Sequence, residues 1–225
     1  MIEPFTSARS AWKPYALFSF LALVGEILFL AAGRWGALLA FILAAVSLVS
    51  VLLELAFRPN PIRFVLPKGR SQNVVARIAP KGEVRERVVL MGHLDTHRTP
   101  LVFSSVGWLK LFTSLVPLGL VSAVVLASLF LAGAFLTLPA LKIASLPFAL
   151  VILGILLITV QADLTPYTPG ANDNASGAGV VLSIAAELAR SPLENTEVWA
   201  VLSGCEEVGC YGAEAFARAH KGEPG

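Results

Sequence analysis

Charge is scarce in this chain. Asp, Glu, Lys and Arg make up only 14% of its 225 residues, where a soluble domain carries about a quarter. Cysteine is scarcer still. Cys205 and Cys210 are the only two, so a disulfide framework is excluded, and no pair of CxxC motifs offers a structural zinc site. Both read as buried free thiols, compatible with a reducing compartment. The net charge is +2 and no basic run is dense, which excludes an electrostatic nucleic-acid surface. There is no internal repeat, and no low-complexity segment outside the apolar runs.

What the chain has instead is hydrocarbon. It is 56% apolar, with a mean hydropathy of +0.75. A run of about 20 apolar residues crosses a bilayer, and four runs qualify: Tyr15 to Ala32, Trp35 to Phe57, Leu111 to Leu136 and Ile143 to Val160. They form two pairs with short connections, Gly33-Arg34 and Thr137 to Lys142. Each pair reads as a helical hairpin, because helices satisfy their own backbone in lipid. The first run does not read as a signal peptide, since a second run follows at once without a small-residue cleavage site. Glu26 falls inside the first span and is expected to face neighbouring helices. Pro117 and Pro147 are expected near span ends.

Basic residues are distributed unevenly around these spans. Arg9, Lys13, Arg58, Arg63, Lys68, Arg70, Arg98 and Lys110 flank the hairpins on one side, and Arg34 and Lys142 alone mark the tips. Basic flanks stay in the cytoplasm. The expected protein is therefore a multi-pass membrane protein with its polar segments on the cytoplasmic side.

The pattern divides the chain into a transmembrane hairpin (1–57), a polar block (58–100), an inserted hairpin (101–161) and a second polar block (162–225). Neither polar block is large enough to be comfortable alone, so together they read as one interrupted domain. Within them, Asn73 to Ala79, Arg87 to Met91 and Glu197 to Leu202 read as strands, with Pro80-Lys81-Gly82 as a turn. Ser176 to Arg190 places Val180, Val181, Ile184, Ala185 and Leu188 on one helical face, and Tyr211 to His220 reads as a short helix. This order argues for an α/β layered sheet.

Three motifs follow apolar runs: Gly92-His93-Leu94-Asp95, Gly170 to Gly177 (GANDNASG) and Gly204-Cys205-Glu206-Glu207. Functional loops gather at the carboxyl ends of strands in open α/β sheets, so all three can meet at one rim. Taken singly, each is ordinary: an Asx turn, a helix cap, a solvated acidic pair. Taken together they supply His, Asp and Glu, the ligand types that bind and activate a hydrolytic metal.

These motifs resemble those of metallopeptidase family 28, the co-catalytic dizinc aminopeptidases and their carboxypeptidase relatives; GANDNASG is the most specific part. The resemblance covers Arg87 to Pro100 and Pro169 to about His220. It implies a partial three-layer α/β/α zinc-exopeptidase-like sheet, interrupted here by the membrane helices. It also implies a membrane-anchored exopeptidase that hydrolyses peptide bonds with a metal-activated water, and two zinc ions. By resemblance His93, Asp173 and Glu207 are metal ligands, with Asp173 bridging both ions. Asp95 orients the imidazole of His93, and Glu206 is the general base. His97 has no counterpart as a ligand. The family takes a further aspartate and histidine from beyond the acidic pair, where this sequence offers Glu214, His220 and Glu223 at unsuitable spacing. The expectation is thus an amino-terminal fragment, inactive by itself, with peptide substrate and lipid bilayer as partners. The competing expectation is a membrane protein whose peptidase-like domain is catalytically incomplete and serves binding or scaffolding.

Overall fold

A computed structural model describes residues 1–222. Glu223, weighed above as a possible ligand, lies outside the described residues. The protein is mixed α/β: among the described residues there are six α-helices and one four-stranded sheet. The chain divides into two compact units. One comprises Met1–Arg9, Pro67–His97 and Tyr167–Gly225, and the other Ser10–Leu66 and Arg98–Pro166.

The second unit holds the apolar helices α1 (Lys13–Ala31), α2 (Gly33–Leu55), α3 (Val106–Phe135) and α4 (Pro139–Leu164). At 1.5 Å per residue they run from about 28 Å to about 45 Å, and all four are long and apolar enough to cross a membrane. Each of α1 and α3 packs on both α2 and α4. Ala22, Phe29, Ala40, Leu126, Phe130 and Ile152 meet in the core, with the rings of Phe29 and Phe130 5.0 Å apart. Glu26 is buried and accepts a hydrogen bond from Ser145 Oγ at 2.7 Å, so it faces a neighbouring helix as expected. Pro117 and Pro147 lie inside α3 and α4 rather than near span ends. The third span starts earlier than its apolar run, where Ser105 Oγ accepts from the backbone N–H of Trp108 and caps the first turn.

The first unit is the sheet. Its strands are β1 (Ile2–Ala8), β2 (Lys68–Ile78), β3 (Glu86–His93) and β4 (Thr196–Ser203), in the order β1-β2-β4-β3. β2 runs antiparallel to β1 and β4, and β3 runs parallel to β4. β1 lies in the stretch grouped above with the first hairpin, and sequence pattern did not announce it. It carries Pro4, which cannot donate to a ladder and is tolerated on an edge strand. β4 is the best buried, with Val198, Trp199, Ala200 and Val201 all enclosed, as its lack of charge foretold.

Registered pairs pin the sheet. Arg87 lies opposite Glu197 and its Nε donates to Glu197 Oε2 at 2.6 Å. Arg77 lies opposite Trp199 and stacks its guanidinium 3.8 Å from the ring centre. Helix α6 (Tyr211–Ala219) places Phe216 against Trp199, with centroids 5.7 Å apart. Helix α5 (Ser176–Arg190) brings its first turn onto β3 at Gly92. A Cβ there would lie 3.3 Å from the backbone of Ala178, so glycine admits the helix to the strand that carries His93.

Candidate metal centre

Parallel pairing of β3 and β4 sets His93 beside Ser203 in register. The motif that ends one strand and the acidic pair that follows the other therefore emerge at the same rim. His93 is the last residue of β3 and its side chain is only 14% exposed. Asp173 comes from an irregular turn, Ala171–Ala175, that leads into α5. That turn is closed by Ala175 N–H donating to Gly170 O at 2.8 Å, and Asn174 Oδ1 accepts from Gly177 N–H at 3.1 Å to cap the helix. The Asp173 carboxylate is 57% exposed, which leaves it open to a substrate.

Imidazole orientation is set by the backbone. His93 Nδ1 lies 3.1 Å from the carbonyl oxygen of Asp95. A carbonyl only accepts, so Nδ1 carries a proton, and in the neutral ring Nε2 presents its lone pair. Nε2 then faces Asp173 Oδ1 at 3.2 Å and Glu206 Oε2 at 3.8 Å. A lone pair aimed at two carboxylates is repulsive unless a cation, metal or proton, lies between them.

Asp95 acts differently from the expectation. Its carboxylate is 3.7 Å from His93 Nδ1, beyond a hydrogen bond. It accepts instead from the backbone N–H of Glu206 on Oδ1 and of Glu207 on Oδ2, each at 3.0 Å. It therefore ties the acidic loop to the His93 loop, while its main chain orients the ring.

Asn73 holds the same loop from below, and the sequence reading passed over it. It is fully buried in β2. Its Nδ2 donates to Gly212 O at 2.9 Å, and its Oδ1 accepts from Gly204 N–H at 3.3 Å. The available signal was an asparagine at the head of a β-branched strand, a residue type depleted there. Two cysteines bracket the acidic pair with left-handed backbone, φ 59° at Cys205 and 58° at Cys210, a conformation that non-glycine residues adopt at a cost and that clusters at functional loops. Both thiols are free and half-buried rather than buried. Burial raises the Cys210 thiol above its ordinary range, and Glu206 adds to this. A thiol so held is protonated, which argues against a cysteine nucleophile.

His97, set aside on sequence grounds, joins the cluster. Potential ligand atoms of His93, Glu206 and Glu207 lie within 4.8 Å of one another, and so do those of His97, Asp173 and Glu207. Glu207 belongs to both groups. Its Oε1 is buried without a hydrogen-bond partner, and burial pushes its carboxyl above the usual carboxylate range; His97 opposes that shift, while Asp173 and Glu206 add to it. A divalent cation would reverse the electrostatics and satisfy the orphaned oxygen. The donor set thus fits a metal of the zinc type. Two residues considered above are engaged elsewhere: His220 pairs with Glu3 at 2.9 Å, and Glu214 pairs with Arg218 along α6.

Residues 155–224 match the sequence profile of Peptidase family M28. A 62-residue segment is 37% identical to "Aminopeptidase YwaD" of Bacillus subtilis (strain 168), covering 28% of this chain and 13% of that protein. The chain thus corresponds to only a small part of that relative's length. No solved structure gives a significant match. The profile contains Asp173, Glu206 and Glu207, and the fold delivers His93 and Asp95 to them from outside the matched segment. Over residues 155–224, about a third of its length, this chain is similar to peptidase family M28.

Proposed function

We propose that this protein is a membrane-anchored, zinc-dependent exopeptidase of the aminopeptidase type. Its catalytic domain is a three-layer α/β/α sheet, carried on the cytoplasmic side of a multi-pass membrane segment. The observation that supports it best is His93 Nε2 facing Asp173 and Glu206, in a cluster whose Glu207 keeps a buried, unpartnered oxygen.

In this reading His93, Asp173 and Glu207 would hold the two zinc ions, and His97 lies where it could contribute an imidazole. Zinc, when bound, polarises the scissile carbonyl and makes water acidic enough to attack near neutral pH. Glu206 takes the proton from the attacking water and delivers it to the leaving amine as the C–N bond breaks. Asp95 and Asn73 keep the Glu206–Glu207 loop in place during that transfer. Zinc sites need three or four protein ligands per metal, or three with water at a catalytic ion. Residues 1–225 by themselves are therefore expected to hold zinc weakly and to turn over no peptide.

The test, made in a longer chain that supplies the remaining ligands, separates the two glutamates. Glu206→Gln abolishes hydrolysis of aminoacyl reporter substrates and leaves zinc content near wild type, whereas Glu207→Gln and Asp173→Asn lower both. Equal zinc loss from Glu206→Gln and Asp173→Asn would refute this division. A wild-type protein that binds zinc and peptide but never releases an amino acid would favour the binding-domain reading.

A further inference from the structure

Three histidines occur in this chain, His93, His97 and His220. His93 belongs to the proposed centre, and His220 is engaged by Glu3 at 2.9 Å. His97 is the remaining imidazole, and the fold fixes its position at several points. Past His93 the backbone continues one step along β4, where Leu94 N–H donates to Ser203 O at 2.9 Å. The Asp95 carboxylate then anchors the loop on the N–H groups of Glu206 and Glu207. Thr168 N–H donates to His97 O at 2.9 Å, which lines the loop up with the segment that leads to Asp173. Gly170 admits that approach. Its φ is +70°, and a Cβ there would lie 2.1 Å from Thr96 Cγ2. Any side chain at 170 would push the Asp173 turn off the His97 loop.

This construction yields a donor group of mixed chemistry. One ligand atom each from His97, Asp173 and Glu207 lies within 4.8 Å of the other two, and imidazole with carboxylates is a donor set that suits zinc. His93 falls in a different group, with Glu206 and Glu207. The two imidazoles therefore serve different ions, and Glu207 is common to both groups. A second mark is independent of this spacing. Glu207 Oε1 is buried and has no hydrogen-bond partner. An imidazolium at His97 that merely neutralised the carboxylates would leave that oxygen orphaned. A divalent ion takes several donors at once and satisfies it.

We infer that His97 is a ligand of the second metal ion, together with Asp173 and Glu207, while His93 serves the first. The inference rests on the proposed metal centre and goes beyond it by giving each ion its own imidazole from one short loop. Metal binding needs the neutral ring, so any proton carried on the ligating nitrogen leaves to solvent as the ion enters.

The test reads the imidazoles directly and requires no turnover. The 225-residue chain, labelled with nitrogen-15 histidine and held in detergent at a pH above the ordinary histidine range, is titrated with zinc chloride to excess while ring nitrogen shifts are recorded. Signals are assigned with His93→Gln, His97→Gln and His220→Gln. The rings of His93 and His97 are each expected to move one nitrogen to a metal-bound shift, and His220 is expected to stay in place. In His97→Gln the His93 shift is expected to persist. A His93 ring that moves while His97 stays put would overturn this inference and leave the proposed centre standing. Failure of both rings to move would overturn the two together. Loss of the His93 shift in a His97→Gln protein with a native circular dichroism spectrum would overturn the assignment to separate ions. If that variant does not fold, the His97 signal is identified by elimination and the wild-type titration decides whether it binds metal.

Discussion

Replacing Asp95 by asparagine tests the architecture of the metal centre without removing a proposed ligand. The carboxylate accepts two backbone hydrogen bonds, from Glu206 and Glu207, each at 3.0 Å. Bonds to a charged acceptor contribute about 1.5–3 kcal/mol each. Asparagine keeps one oxygen for one N–H but turns an NH2 group toward the other, so one bond weakens and the second becomes a donor–donor contact. The side chain is 25% exposed, and water relieves part of that clash. The net effect on the loop is about 2 kcal/mol, set at the lower end of the range for lost charged bonds. At 1.36 kcal/mol per tenfold, that is about a thirtyfold loss in zinc affinity, inside the roughly 10–100-fold range for residues that support metal ligands. The measurement is chelator competition against zinc on purified wild-type and Asp95→Asn protein, with near-ultraviolet circular dichroism to confirm the fold. His93 keeps its main-chain partner in the variant, so the imidazole remains oriented. A folded Asp95→Asn protein whose zinc affinity stays within about threefold of wild type, below the expected floor, would refute the view that this carboxylate positions the acidic pair.

Asn73→Ala leaves Gly212 O and Gly204 N–H without their buried partner and should cost about 2–4 kcal/mol, read as a lowered midpoint in thermal unfolding. His97→Ala should reduce zinc content and leave secondary structure intact; unchanged zinc binding would remove His97 from the ligand set. Trp199 Nε1, first, and Arg87 hold the Glu197 carboxyl below the usual carboxylate range. Its contribution is present above the unfolded value of about 4.3 and is lost as pH falls through the lower folded value. Glu197→Gln should therefore destabilise at neutral pH and flatten the acid limb of a melting-temperature profile, and parallel profiles would contradict the linkage. Cysteines engineered at Arg34 and Thr137 should react with impermeant reagents outside intact cells while one at Ser71 does not; the reverse pattern would invert the topology.

Much of this protein can be read from local pattern. Four largely apolar runs long enough to cross a bilayer read as helices, and each lies within or overlaps one of α1 to α4. The helix from Ser176 to Arg190 was legible from one apolar stripe, because a 3.6-residue period is a property of the chain itself. The three motifs were legible because His, Asp and Glu beside strand ends form a rare combination of residue types. Contacts between distant residues carry no local signature, and the fold alone decided them. Pro4 and the short polar run around it hid β1, whose pairing partner is β2, far along the chain. His97 looked idle until the sheet and the turn at Asp173 brought Asp173 and Glu207 to it. The family resemblance implied that Asp95 orients the imidazole, but its carboxylate accepts from two backbone N–H groups across the rim. Asn73 became a fastening point only because strand order sets β2 beside β4. Periodicity and residue chemistry act within a few residues and are written in the sequence. Which donor finds which acceptor across more than a hundred residues depends on strand order and register, and tertiary structure alone supplies those.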